Sequence, residues 1–124
     1  MKPLVYVAGP YSKPDPVVNT RNAIVAGLDL YDTGAITPLI PHLTMLAHLI
    51  RPEDIDFWYR LDLEQLEHCD AVYRLPGEST GVEVEVAQAR LLSIPVFESA
   101  LGLVRWAEEE WVPPHITFDL REDS

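Results

Sequence analysis

Cysteine is almost missing from this chain. Cys69 is the single one among 124 residues, so no internal disulfide can form. The four histidines, His42, His48, His68 and His115, have no metal-ligand spacing, which with one cysteine leaves no basis for a zinc site. Basic residues are scarce: nine Lys and Arg stand against twenty Asp and Glu, a formal charge of −11. Nucleic-acid polymers are held mostly by Lys and Arg on phosphates, so this balance argues against one as a partner. A small anionic ligand must instead be held by locally placed donors, and most of the acidity serves solubility. No apolar run is long enough to span a membrane, and Met1–Val5 enters a strand-like segment without a signal-peptide pattern. The expectation is a cytoplasmic protein with no membrane partner. Gly77 and Gly81 do not have dinucleotide-fingerprint spacing, and Asp54-x-Asp56 lacks the rest of a calcium loop. Neither a metal nor an organic cofactor is expected.

What is present fits one ordinary globular domain over residues 1–124, with 48% hydrophobic and 23% charged residues. Pro3–Ala8 reads as a buried strand, ended by the turn Gly9-Pro10-Tyr11-Ser12 and a loop through Pro16 too rich in proline for a helix. Val18–Tyr31 has helical periodicity, with Gly34 placed as its C-terminal cap. Ala35–Leu39 is a second strand, Ile40–His42 a loop and Leu43–Ile50 a short helix. Pro52 suits the first turn of the next helix, which runs to about Glu67 with Ile55, Trp58, Tyr59, Leu61, Leu63 and Leu66 as its apolar face. Asp70–Leu75 is a central strand, Gly81–Leu92 a helix, Ile94–Phe97 a fourth strand and Ser99–Trp111 a last helix. His115–Leu120 reads as a fifth, edge strand before a frayed tail, Arg121–Ser124. Alternation of strands and helices predicts an α/β three-layer sandwich, its sheet mostly parallel and four- to five-stranded. Ligands bind such sheets off the carboxyl ends of the strands, where the turns Gly9–Tyr11, Thr37–His42 and Leu75–Gly81 would share one crevice.

The most informative stretch is Ser79-Thr80-Gly81-Val82-Glu83-Val84-Glu85, a turn with a hydroxyl and a glycine that opens a helix after a buried strand. Unpaired N–H groups at such a helix start favour an anion in front of them, and Glu85, one turn in, would face the same crevice. Glu83 competes for that role. Two residues apart on a helix, the two glutamates point in different directions.

Taken in order, Val7-Ala8-Gly9-Pro10-Tyr11, Asp62 ahead of Cys69-Asp70-Ala71-Val72, Ser79-x-Gly81-Val82-x-x-Glu85-x-x-x-Ala89 and Ile94-Pro95-Val96 form a pattern over about residues 4–97. It resembles the nucleoside 2-deoxyribosyltransferase superfamily, which includes the 2′-deoxynucleoside 5′-phosphate N-hydrolases. The resemblance implies a flavodoxin-like fold and cleavage of an N-glycosidic bond in a small nucleotide or nucleoside. It makes Glu85, four residues after the motif glycine, the nucleophile on the anomeric carbon. Asp62 then contacts the base and assists proton transfer to the leaving nitrogen, and Tyr11 orients the nucleophile. Tyr6, inside the strand, is a weaker candidate better read as a core tyrosine. A carboxylate suits this chemistry because the transition state has oxocarbenium character.

In superfamily members acting on unphosphorylated nucleosides an acid usually stands two residues before the motif glycine. Here that position is Ser79, as in the monophosphate hydrolases, so a (deoxy)nucleoside 5′-monophosphate is the expected substrate. Ser79 and Gly81 with Gly9 and Pro10 would cradle the sugar phosphate, Arg21 and Asn22 would add donors, and His42 would touch the ligand. The hydrolases' glycine- and arginine-rich first loop is replaced here by Gly-Pro-Tyr-Ser-Lys-Pro-Asp-Pro. Base exchange by a deoxyribosyltransferase and a non-catalytic nucleotide-binding module are the alternatives. The resemblance also implies a homodimer or higher homo-oligomer.

Overall fold

The computed structural model describes residues 1–114. Strand β1 (Leu4–Ala8) lies inside the sheet, with Val5, Tyr6, Val7 and Ala8 all fully buried. Helix α1 (Pro16–Asp32) leads to β2 (Thr37–Leu39), a 3₁₀ turn (Pro41–Leu43) and the short helix α2 (Thr44–Ile50). Helix α3 (Ile55–Leu66), strand β3 (Ala71–Arg74), helix α4 (Thr80–Leu91), strand β4 (Val96–Phe97) and helix α5 (Ala100–Glu109) follow. The strands are all parallel in the order β2-β1-β3-β4. The chain moves outward from β1 to β2 and crosses back to β3, so the switch point lies between β1 and β3. This is the flavodoxin-like order, and it places the crevice at the carboxyl ends of those two strands.

Alternation along the strands divides the core in two. Tyr6, Ala8 and Val72 face α3 and α4, where they meet Leu66, Val82, Val86 and Ala89. Val5 and Ala71 face the opposite layer and meet Leu30, Ile36 and Leu103, with Phe97 and Trp106 packed alongside. Among the described residues no helix is long and apolar enough to cross a membrane.

Element boundaries differ from the sequence reading where capping decides them. Helix α1 begins at Pro16 rather than Val18, because Asp15 accepts from the N–H groups of Val17 (2.8 Å) and Val18 (3.2 Å). Proline is tolerated at that first position, where its missing N–H would have no partner anyway. Pro52 stands ahead of α3 instead of in its first turn. Asp54 is the cap, accepting from Phe57 N–H at 2.9 Å. The segments expected as a fifth strand and a frayed tail lie outside the described residues.

Two glycines lock the turns at the switch point together. A Cβ on Gly9 would stand 2.8 Å from Leu75 Cδ1, and one on Gly77, whose φ is +117°, would stand 2.7 Å from Pro10 Cγ. The turns after β1 and β3 therefore interdigitate at a distance only glycine permits.

Leu103 is fully buried on the layer away from the crevice. Leu103→Ala is expected to destabilise the fold by about 2–5 kcal/mol, read as a lower urea midpoint at unchanged slope.

Candidate functional site

Three helices and two turns enclose a cavity of about 390 Å³ over the carboxyl ends of β1 and β3. Each helix contributes one stripe. On α3 the stripe is Ile55, Trp58, Tyr59 and Asp62, spaced i, i+3, i+4 and i+7. On α4 it is Gly81, Val82 and Glu85, and on α2 it is Thr44, Met45 and His48. The turn after β1 adds Gly9, Tyr11 and Ser12, the 3₁₀ turn adds Pro41 and His42, and Ser79 and Glu53 complete the wall.

Glu85 and Glu83 go separate ways. Val82, Val86 and Ala89 are the buried stripe of α4, and Glu85 lies beside it, over the sheet. There its carboxylate accepts a hydrogen bond from the Tyr6 hydroxyl, donated from within β1. Glu83 turns outward, 62% exposed, and pairs with Arg74.

The Glu85 carboxyl is pushed from the ordinary 4.5 up to about 7, first by burial and then by the nearby Asp62 charge, while the Tyr6 hydrogen bond pulls it down. Asp62 is raised from 3.8 to about 7 by burial, and its Oδ1 is buried with no hydrogen-bond partner. Tyr6 is pushed far above an ordinary phenol by burial and by the Glu85 charge, so it stays protonated and stays a donor. Both carboxyls are thus raised toward neutrality, and the Tyr6 hydrogen bond favours the charged form of Glu85, a help that Asp62 does not receive.

Ser79 caps α4, its Oγ accepting from Val82 N–H at 3.3 Å, which leaves its own hydroxyl proton free to donate. The N–H groups of Thr80 and Gly81 precede the first intrahelical bond and face out of the helix end. His42 is 4% exposed, and its Nε2 lies 2.9 Å from the Pro10 carbonyl, so Nε2 carries the proton. Burial lowers the pKa of His42 against the pull of the Pro10 and Gly9 carbonyls, and its Nδ1 lone pair has no partner.

Of the residues expected at the site, Glu85, Asp62, Tyr11, Gly9, Ser79, Gly81 and His42 come together around the cavity. Three do not. Arg21 and Asn22 are exposed and bond to each other at 3.2 Å. The buried stripe of α1 is Thr20, Ala23, Gly27 and Leu30, which rotates positions 21 and 22 into solvent. Pro10 supports the site from behind, through its carbonyl on His42 and its ring on Gly77. The hydroxyl on Glu85 is that of Tyr6, not Tyr11: Tyr6 faces the α4 layer by strand alternation, whereas Tyr11 is 41% exposed at the rim. Among the described residues, no Lys or Arg lines the cavity. Among the described residues no group of three His, Cys, Asp or Glu could hold a metal ion.

Sequence reasoning passed over Asn19, whose Nδ2 donates to the carbonyls of Tyr11 (3.0 Å) and Lys13 (2.9 Å) and so holds the rim loop in place. The sequence reads Phe57, Trp58 and Tyr59 as core or a subunit contact, with room for one of them to line the pocket; Trp58 and Tyr59, together with Ile55, line it.

The fold recurs among solved structures. The chain is similar to a 2-deoxyribosyltransferase from Bacillus psychrosaccharolyticus at 21% identity and a TM-score of 0.54, over 75% of this chain and 69% of that one. At that identity the likeness is one of fold. No protein-family model and no curated protein matches the sequence.

The raised Glu85 pKa has a consequence for stability. The folded state holds this proton more tightly than the unfolded chain, so the stabilisation is complete below about pH 4 and is lost as pH rises through about 7. Glu85→Gln is therefore expected to be more stable than the natural chain at pH 8, by on the order of 1–3 kcal/mol. The difference should vanish near pH 4, in urea titrations at both pH values.

Proposed function

We propose that the protein cleaves the N-glycosidic bond of a (deoxy)nucleoside 5′-monophosphate, with Glu85 as nucleophile and Asp62 as acid and then base. The observation that carries this reading is the half-buried Glu85 carboxylate, held by the Tyr6 hydroxyl and sharing one cavity with Asp62, whose pKa burial raises to about 7. The likeness in fold to a 2-deoxyribosyltransferase supports chemistry on a nucleoside. In the first step a Glu85 oxygen bonds to C1′ as the glycosidic bond breaks, and the Asp62 proton goes to the departing nitrogen. In the second, Asp62, now a carboxylate, takes a proton from water. The resulting hydroxide bonds to C1′ and releases Glu85, which restores both groups.

For the 5′-phosphate this reading uses the Ser79 hydroxyl and the Thr80 and Gly81 N–H groups at the start of α4, which suit an anion without a cationic side chain. A second reading has its own support. Among the described residues the cavity wall carries Glu53, Asp62 and Glu85 and no Lys or Arg, which favours an uncharged nucleoside and base exchange. A homo-oligomer belongs to the same proposal. Leu46, Leu49 and Ile50 on α2 and Ile55 on α3 are 59%, 71%, 87% and 63% exposed near the cavity rim. Light scattering tests it, with two or more chains per particle expected.

Incubation with nucleosides and their 5′-monophosphates, with and without an acceptor base, separates the readings. Free base from monophosphates alone supports hydrolysis, a swapped base supports transfer, and binding without product indicates a nucleotide-binding module. Glu85→Gln should cut turnover at least 10³-fold while Glu83→Gln stays within about twofold, since one carboxylate is the nucleophile and the other a surface partner of Arg74. Equal losses in both would overturn the assignment.

The pH profile should be a bell about neutrality, falling in acid as Glu85 gains a proton and in base as Asp62 loses one. Tyr6→Phe removes the bond that lowers the Glu85 pKa, so the acid limb should move to higher pH.

A further inference from the structure

The cavity holds a second hydrogen-bonded arrangement that the cleavage chemistry does not use. His48, on α2, places its Nδ1 2.8 Å from the indole Nε1 of Trp58 and 3.3 Å from the backbone N of Glu53. Both neighbours are N–H donors, so Nδ1 is the acceptor of both and the imidazole proton sits on Nε2. One lone pair thus ties α3 and the segment joining α2 to α3 onto α2. The imidazole meets the indole nearly edge-on, with ring centroids 5.6 Å apart at 78°, and the Phe57 ring braces it at 4.9 Å and 88°. A half-buried tryptophan with a satisfied N–H and two edge contacts has a set ring plane.

Trp58 precedes Asp62 by four residues, so the two share the cavity face of α3 about one turn apart. Met45 and Tyr59 extend the same wall. An aromatic wall fixed in orientation, with a proton donor one turn further along, fits a flat heteroaromatic ring that stacks on the one while its edge takes a proton from the other. We propose that Trp58 is the stacking surface for the nucleobase and that His48, acting through Trp58, is its positioning residue. This rests on the reading of the cavity as a nucleoside site. It adds which end of the cavity takes the base and which side chain outside the chemistry sets its affinity.

Adenine and thymine are the probes, since free bases bind without turnover. Each is titrated into the natural protein and into Trp58→Phe, Trp58→Ala, His48→Ala and His48→Gln while tryptophan emission is followed, with Trp106 and Trp111 as the constant background. At least one base should quench emission in the natural protein, and the quench should be lost in Trp58→Phe. Trp58→Ala should weaken binding about 5- to 150-fold, the loss of one base–aromatic stack. His48→Ala should raise the dissociation constant and KM several-fold with kcat within about twofold. His48→Gln, whose amide oxygen can accept the indole proton, should restore most of the loss.

Failure of both bases to quench, or unchanged affinity in Trp58→Ala, overturns the proposal. So does a His48→Ala protein that loses kcat at constant KM. The outcomes separate from those of the cleavage reading. Base binding at Trp58 without release of base from any nucleotide sinks that reading alone, and cleavage that persists at unchanged KM in Trp58→Ala sinks this one alone.

Discussion

A part-buried hydrogen bond, from the Tyr6 hydroxyl to the Glu85 carboxylate, ties the middle of the sheet to the helix over the switch point. A carboxylate withdrawn from water is costly unless a donor meets it, and here the donor comes from a fully buried side chain in an interior strand. Such a partner has no alternative position. The bond therefore sets where Glu85 points, and it opposes the burial that would neutralise the carboxylate. Asp62 receives no such help, and burial alone raises its pKa.

The cavity is firm on one side and loosely held on the other. Its floor is the end of a sheet whose turns are interlocked through Gly9 and Gly77. Its outer wall includes α2, which has no buried residue and is joined to α3 through the His48–Trp58 bond. Local opening follows such differences in burial.

Charge is arranged with the same economy. The chain carries far more acidic than basic residues, and among the described residues no Lys or Arg lines the cavity. The start of α4 offers backbone N–H groups and the Ser79 hydroxyl, whose dipoles suit an anion without offering a carboxylate an ion-pair partner. A lysine or arginine at that spot would lower the Glu85 and Asp62 pKa values together.

Much of this was legible in the order of residues. Strand–helix alternation and the turns at Gly9, Thr37–His42 and Leu75–Gly81 predicted the layers and the crevice, because apolar periodicity and turn chemistry are local properties. The helix start at Ser79 was legible for the same reason, whereas the preference for Glu85 over Glu83 came from the four-residue step that the family resemblance implies. The choice of Tyr6 over Tyr11 was not legible. It depends on which face of β1 meets α4, a matter of how sheet and helix pack. Arg21 and Asn22 follow the same rule in reverse, being near the site in sequence but turned away by the buried stripe of α1. The bond between His48 and Trp58 and the raised pKa values of Asp62 and Glu85 exist only where separate helices converge and exclude water. Sequence by itself determined the elements and the types of group available to the site. Only tertiary structure decided which of those groups are desolvated together, because burial is a property of assembled surfaces and not of neighbours along a chain.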